Sequence, residues 1–124
     1  MLAIAPGWEM DVDRGPGWLL VRVRSPNPDA CDTPPLADEL WSLLSRHFVY
    51  RLALELDEVE LLHSYLLGQL ILLDKRVREH GGMMRLCGLS SFNRQVLHSH
   101  GLDVRFPTYD DREEAVMGSN QKPR

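Results

Sequence analysis

Five histidines (His47, His63, His80, His98 and His100) and two cysteines (Cys31 and Cys87) are the side chains of this sequence best suited to metal binding or acid–base chemistry. Their spacing supports neither. Two metal ligands on one helix must lie three or four residues apart so that both rings share a face. His98 and His100 are two apart, and no HExxH or clustered acids accompany them. The cysteines lie far apart and form no CxxC, as expected of reduced thiols in a cytoplasmic protein. The glycine patterns that cradle phosphates and the GxSxG elbow of hydrolases do not occur. Ser64 directly follows His63, but adjacent residues at a helix start point in different directions, and no third group is placed to orient the ring. The expectation is a protein that is not an enzyme, with no catalytic residue, no metal and no cofactor.

Ser64 has two other uses. It stands where a strand and a tight turn deliver the chain into a helix, so its hydroxyl can act as the N-cap for an unbonded first-turn N–H. The same position suits a phosphoacceptor, because a phosphate there meets free N–H donors and the positive end of the helix dipole. The helix that follows is apolar over most of its first half, with Leu66, Leu67, Leu70, Ile71 and Leu73. That is wider than one core-facing stripe requires. A second row, Tyr65, Gln69, Leu72 and Arg76, reads either as a covered face or as a partner surface with a tyrosine anchor.

The elements that must position these residues follow from periodicity. Trp8 to Asp13 alternates apolar and acidic residues, Arg14–Gly15–Pro16–Gly17 breaks the pattern, and Trp18 to Arg24 resumes it. This predicts an antiparallel hairpin. Ser25 to Pro35 is a proline-rich loop. A first helix is expected from a Thr33 cap with Pro34 in its first turn, with Leu36, Leu40, Leu43, Leu44 and His47 on one stripe. Arg51 to Asp57 is a third strand, and Ser64 to His80 a second helix stopped by Gly81–Gly82. Met83 to Gly88 is a fourth strand. A third helix spans Ser91 to His100, with Phe92, Val96 and Leu97 buried. Val104–Arg105–Phe106 is a short edge strand, and Asp110 caps a fourth helix with Glu113 three residues on. Alternating strands and helices after a hairpin predict a mixed α/β sheet with parallel inner strands.

Composition narrows the class further. With 124 residues, 44% hydrophobic and 26% charged, the chain can bury the core of one domain. We expect that domain over 1–117, followed by a flexible tail at 118–124. Fourteen Lys+Arg against eighteen Asp+Glu give a net charge of −4, which argues against a nucleic-acid partner. The most apolar run, Leu61 to Leu73, is interrupted by His63, Ser64, Gly68 and Gln69 and falls short of the ~20 apolar residues of a membrane span. The N-terminal residues lack the basic start of an export signal.

Leu54 to Gly68, LELDEVELLHSYLLG, resembles the central motif of STAS domains, which include the bacterial anti-sigma factor antagonists. The resemblance continues through Arg78–Glu79–His80–Gly81–Gly82–Met83–Met84–Arg85–Leu86, Val96 to Leu102 and Phe106 to Ala115. It implies a single STAS-like domain, a mixed four- to five-stranded sheet with about four helices packed mainly on one face. It also implies a switch protein that binds an anti-sigma factor, often itself a serine kinase, and is released when the serine after the motif Asp is phosphorylated. That serine falls on Ser64. The expected partner surface is His63, Ser64, Tyr65, Leu66, Gly68, Gln69 and Leu72. His63 replaces the motif Asp, Tyr65 the second hydroxyl residue and Leu66 a glycine. These departures support a second expectation, an adaptor or scaffold without the phosphorylation switch; a transporter-associated accessory is a third.

Overall fold

The computed structural model describes residues 2–5, 8–25 and 35–118. Six strands form one sheet in the spatial order β1 to β6: β1 (Leu2–Ala5), β2 (Trp8–Gly15), β3 (Trp18–Arg24), β4 (Arg51–Glu58), β5 (Met83–Cys87) and β6 (Thr108–Tyr109). The helices are α1 (Leu36–His47), α2 (Ser64–Glu79), α3 (Ser91–Ser99) and α4 (Arg112–Met117). β1–β2–β3 pair antiparallel and β3–β4–β5–β6 parallel, which is the mixed sheet the sequence predicts.

Alternation along the strands sorts the side chains into two cores. Val21, Leu54 and Leu86 are neighbours across three strands and face α1, α2 and α3 together with Met10, Leu52, Leu56 and Met84. Leu40 and Leu44 of α1, Leu66, Leu70, Leu73 and Val77 of α2, and Leu97 of α3 close this core from the helix side. On the opposite face a smaller cluster of Trp18, Ala53, Cys87 and Tyr109 is covered by Ala115 of α4. The helices therefore lie mainly on one face, as expected, with only short α4 behind the sheet. Burial pushes the Cys87 thiol up to about 12, its environment near Glu55 adding to the effect, which leaves it a packing residue.

Several local expectations shift. β1 is an additional edge strand. The segment Val104–Arg105–Phe106 is a turn, and the outer strand is instead Thr108–Tyr109, paired with Leu86 and Cys87 alone. α1 starts at Leu36 after Pro35, and its proposed cap Thr33 lies outside the described residues, as do Cys31 and 119–124 of the expected tail. Asp111, not Asp110, caps α4 by accepting from the Glu114 N–H at 2.9 Å, while Glu114 reaches back to the Asp110 N–H. Phe92 is exposed rather than buried, because the inward stripe of α3 runs through Asn93, Val96 and Leu97.

Two glycines give opposite predictions. A Cβ at Gly82 would stand 2.0 Å from the Tyr50 carbonyl oxygen, whereas one at Gly68, inside α2, would meet nothing within 4 Å. Gly82→Ala should destabilise the fold by at least about 2 kcal/mol, and Gly68→Ala should stabilise it by about 0.5–1 kcal/mol through helix propensity. Urea denaturation of the two variants beside wild type reads both signs.

Candidate functional site

The loop between β4 and α2 leaves the sheet at the C-terminal ends of the parallel strands and carries Ser64 into the first turn of α2. Such a loop exposes backbone groups that no strand partner satisfies. Here Asn93 satisfies them. Its fully buried side chain donates from Nδ2 to the carbonyls of Val59 (3.0 Å) and Glu60 (3.4 Å) and accepts the Leu62 N–H at Oδ1 (3.0 Å). Asn93 is itself held in the first turn of α3, where its N–H donates to the capping Ser90 hydroxyl at 3.1 Å. From the other side, Ser25 at the end of β3 donates N–H and Oγ–H to the Glu58 carbonyl, and its hydroxyl accepts the Glu60 N–H. Val59 and Leu62 drop into the core between these two clamps.

The residues singled out from the sequence divide on this scaffold. His63, half-buried and extended, takes the N-cap position without a side-chain capping bond. Ser64 is therefore not the cap expected from the sequence; it is the first helical residue, and it is exposed. Tyr65 is 49% and Leu72 56% exposed. Leu66 is 2% exposed and packs in the main core, so its side chain is not part of a partner surface and does not crowd Ser64. Gln69 holds two helices together, because its Oε1 accepts the Ala37 N–H at 2.9 Å and so ties α2 to the first turn of α1. Tyr65, Gln69, Leu72 and Arg76, the row read from the sequence, line one depression with Pro35, Ala37 and Asp38 of the α1 start. Gly68 lies one turn below Ser64, beside open space.

α1 carries Asp38 and Glu39 in its first turn and α4 carries Glu113 and Glu114, whereas α2, like α3, has no acidic residue there. The positive end of its dipole is thus not offset by a first-turn carboxylate. Behind the sheet, a network of ion pairs fixes the strands that lead to this end. Buried Glu55 of β4 accepts from Arg22 of β3 at 3.2 Å and from Arg112 of α4 through Nε at 3.1 Å and through Nη2. Arg112 also pairs with Asp13 of β2 at 2.9 Å. Arg24 joins Glu58, Glu9 and Asp11, and its hydrogen bond, then its charge, hold the exposed Glu58 carboxyl below the usual range. A lowered folded-state value means that this attachment is complete above the ordinary glutamate pKa and fades as pH falls through the folded one.

Among the described residues no group of three His, Cys, Asp or Glu could hold a metal ion, and no helix is long and apolar enough to cross a membrane. The sequence reading missed Asn93. The available signal was a polar residue four positions before Leu97, on the stripe of α3 that must face the core.

Replacing Asn93 with leucine leaves two carbonyls and one N–H of the loop without their partner, and should destabilise the protein by about 2–4 kcal/mol. The Leu62 amide should lose protection in hydrogen exchange by more than the amides of β4 do. Equal losses throughout would mean that Asn93 acts only on global stability.

Comparison with known proteins places this geometry. A family model described as the STAS domain matches residues 9–115. The crystal structure of an anti-sigma factor antagonist from Mycobacterium paratuberculosis is similar with a TM-score of 0.74 and 22% identity, covering 96% of this chain and all of that one (100%). A variant of RsbS from Moorella thermoacetica gives 0.70 at 15% identity over 88% of this chain and 92% of its own. An anti-sigma-factor antagonist (STAS) domain protein from Planctomyces limnophilus gives 0.60 at 18% over 88% and 96%. At these identities the likeness is one of fold. No curated protein matches the sequence.

Proposed function

The chain belongs to the STAS domain family, and on that footing we propose that it is a non-catalytic regulatory protein of the anti-sigma-factor-antagonist kind. It binds an anti-sigma factor that is also a serine kinase through the start of α2, in the cytoplasm, and phosphorylation of Ser64 ends the complex. The observation that carries this reading is the state of Ser64. Its side chain is exposed on the first turn of α2, whose dipole meets no first-turn carboxylate, on a loop clamped by Ser25 and Asn93. A kinase needs the hydroxyl accessible. A phosphate placed there gains from the N–H groups and the dipole, and adds up to two negative charges to the binding face.

Contact is made by Tyr65 and Leu72, with the open notch at Gly68 admitting a partner side chain near Ser64. His63 and Gln69 border this face, His63 as the helix cap and Gln69 as the tie to α1. Leu66 contributes from below by fixing the helix to the core. A second reading, a constitutive adaptor, is favoured by the half-exposed Tyr65 directly beside the serine, where a phenol ring narrows a kinase's approach.

The test uses wild type and Ser64→Asp as paired baits in the native cell extract, followed by incubation of the captured material with ATP. Wild type alone should retain a protein that phosphorylates Ser64, detected by mass spectrometry. Equal recovery by both baits with Ser64 unmodified would establish the adaptor instead. Gly68→Gln should fold normally, since its Cβ meets open space, yet lower partner recovery at least tenfold.

A further inference from the structure

The two ends of the sheet carry opposite charge. Glu9, Asp11, Asp57, Glu58 and Glu60 gather toward the C-terminal ends of β3 and β4, the Ser64 end, where Arg22 and Arg24 pair with the first four and leave a net negative charge. At the other end Arg46 occupies the last turn of α1, Phe48 follows that helix and Arg51 opens β4. Arg14 lies level with them across the sheet, opposite Leu19, which in turn lies beside Leu52. Arg14, Arg46 and Arg51 are exposed, and none forms an ion pair among the described residues. Every other described arginine is paired with a carboxylate except Arg85, which donates to the Ala115 carbonyl at the end of α4. Acidic side chains near this end are Asp13, neutralised by Arg112, with Glu79 and Glu113 on the flanks.

Phe48 stands among these arginines, 84% exposed and with a φ of 53°. It occupies the left-handed position after α1, where its N–H closes the helix on the Ser45 carbonyl. Glycine or asparagine adopts that conformation more readily than an aromatic residue. The ring therefore gains neither burial nor backbone ease from the fold. Half-buried Trp41 and Tyr50 pack around His80 at the same end, at centroid distances of 4.6 and 5.3 Å. A protruding aromatic flanked by unpaired guanidiniums, with Trp and Tyr behind it, is the arrangement that settles at the headgroup layer of an anionic membrane.

We propose that this basic end docks on anionic lipid surfaces, with Phe48 entering the headgroup layer and Arg14, Arg46 and Arg51 facing the lipid phosphates. The acidic end is removed from the lipid by the length of β4, roughly 25 Å at strand rise, about three Debye lengths at physiological salt. Net repulsion from the chain's charge of −4 is thereby screened while the arginines are in contact. Docking in this orientation leaves the Ser64 end facing solution. A lipid layer is favoured over an acidic protein segment because the arginines come from three separate elements around a ring that stands clear of its neighbours, which suits a laterally uniform surface.

Co-sedimentation of the full chain with vesicles of phosphatidylglycerol and phosphatidylcholine, beside vesicles of phosphatidylcholine alone, tests this. Wild type should partition onto the anionic vesicles only, and less as salt is raised. The Arg46→Gln/Arg51→Gln variant should bind about 25-fold more weakly, about fivefold per arginine. Phe48→Asn should bind several-fold more weakly with an unchanged or higher Tm, which separates loss of docking from loss of fold. Equal binding to neutral vesicles, no binding, or variants that bind as wild type would overturn the proposal. Capture of poly-L-glutamate without vesicle binding would overturn it in favour of an acidic polypeptide.

Discussion

The arrangement of the Ser64 end depends on how the backbone between β4 and α2 is satisfied once it leaves the sheet. A loop of that kind is usually free to wander, because water can serve its polar groups from many directions. Here a single buried amide, Asn93, bonds three loop groups at once, and it can do so only because α3 holds it by the Ser90 cap. Amide side chains have both donors and an acceptor in one plane, which neither a carboxylate nor a hydroxyl supplies. α3 thus serves the site from beneath, through the Asn93 side chain that holds its loop.

Most of the frame was legible in the sequence because it rests on periodicity. Alternation gives β2 and β3, the 3.6-residue stripe of leucines gives α1 and α2, and Gly81–Gly82 stops α2 where the chain must pass under Tyr50. What periodicity could not give were features set by partners distant in the chain. Leu2 to Ala5 becomes a strand only because the outer edge of β2 is available. Phe92 looks like a core residue until Asn93 claims the inward position. Ser64 has the type and place of a cap, yet the extended backbone of His63 takes that role one residue earlier. Leu66 stands where the family motif has glycine, but the α2 face it occupies is the buried one.

Behind the sheet the charged residues carry a different burden. Glu55 is 6% exposed and would be expensive alone, but Arg22 and Arg112 approach it from two elements. A buried ion pair of this kind adds little net stability, but losing either guanidinium would leave a buried charge less compensated. Because Arg112 reaches Asp13 of β2 as well as Glu55 of β4, short α4 spans β3 and locks three strands into one alignment. The parallel strands then deliver their loops to a common end in fixed relation.

The two-residue length of β6 has a consequence for life at high concentration. Only Leu86 and Cys87 of β5 are covered by it, so among the described residues the outer edge of Met83 to Arg85 has no strand neighbour. A bare edge in a parallel sheet is a template on which another chain can grow. This one is rimmed by Arg78, Arg85, Arg105 and Pro107 around a depression. An incoming strand would have to bury guanidiniums against its own backbone and would meet a residue that cannot donate a hydrogen bond. Charge and a proline at the rim thus disfavour strand addition where the hydrogen-bonding of β5 is incomplete.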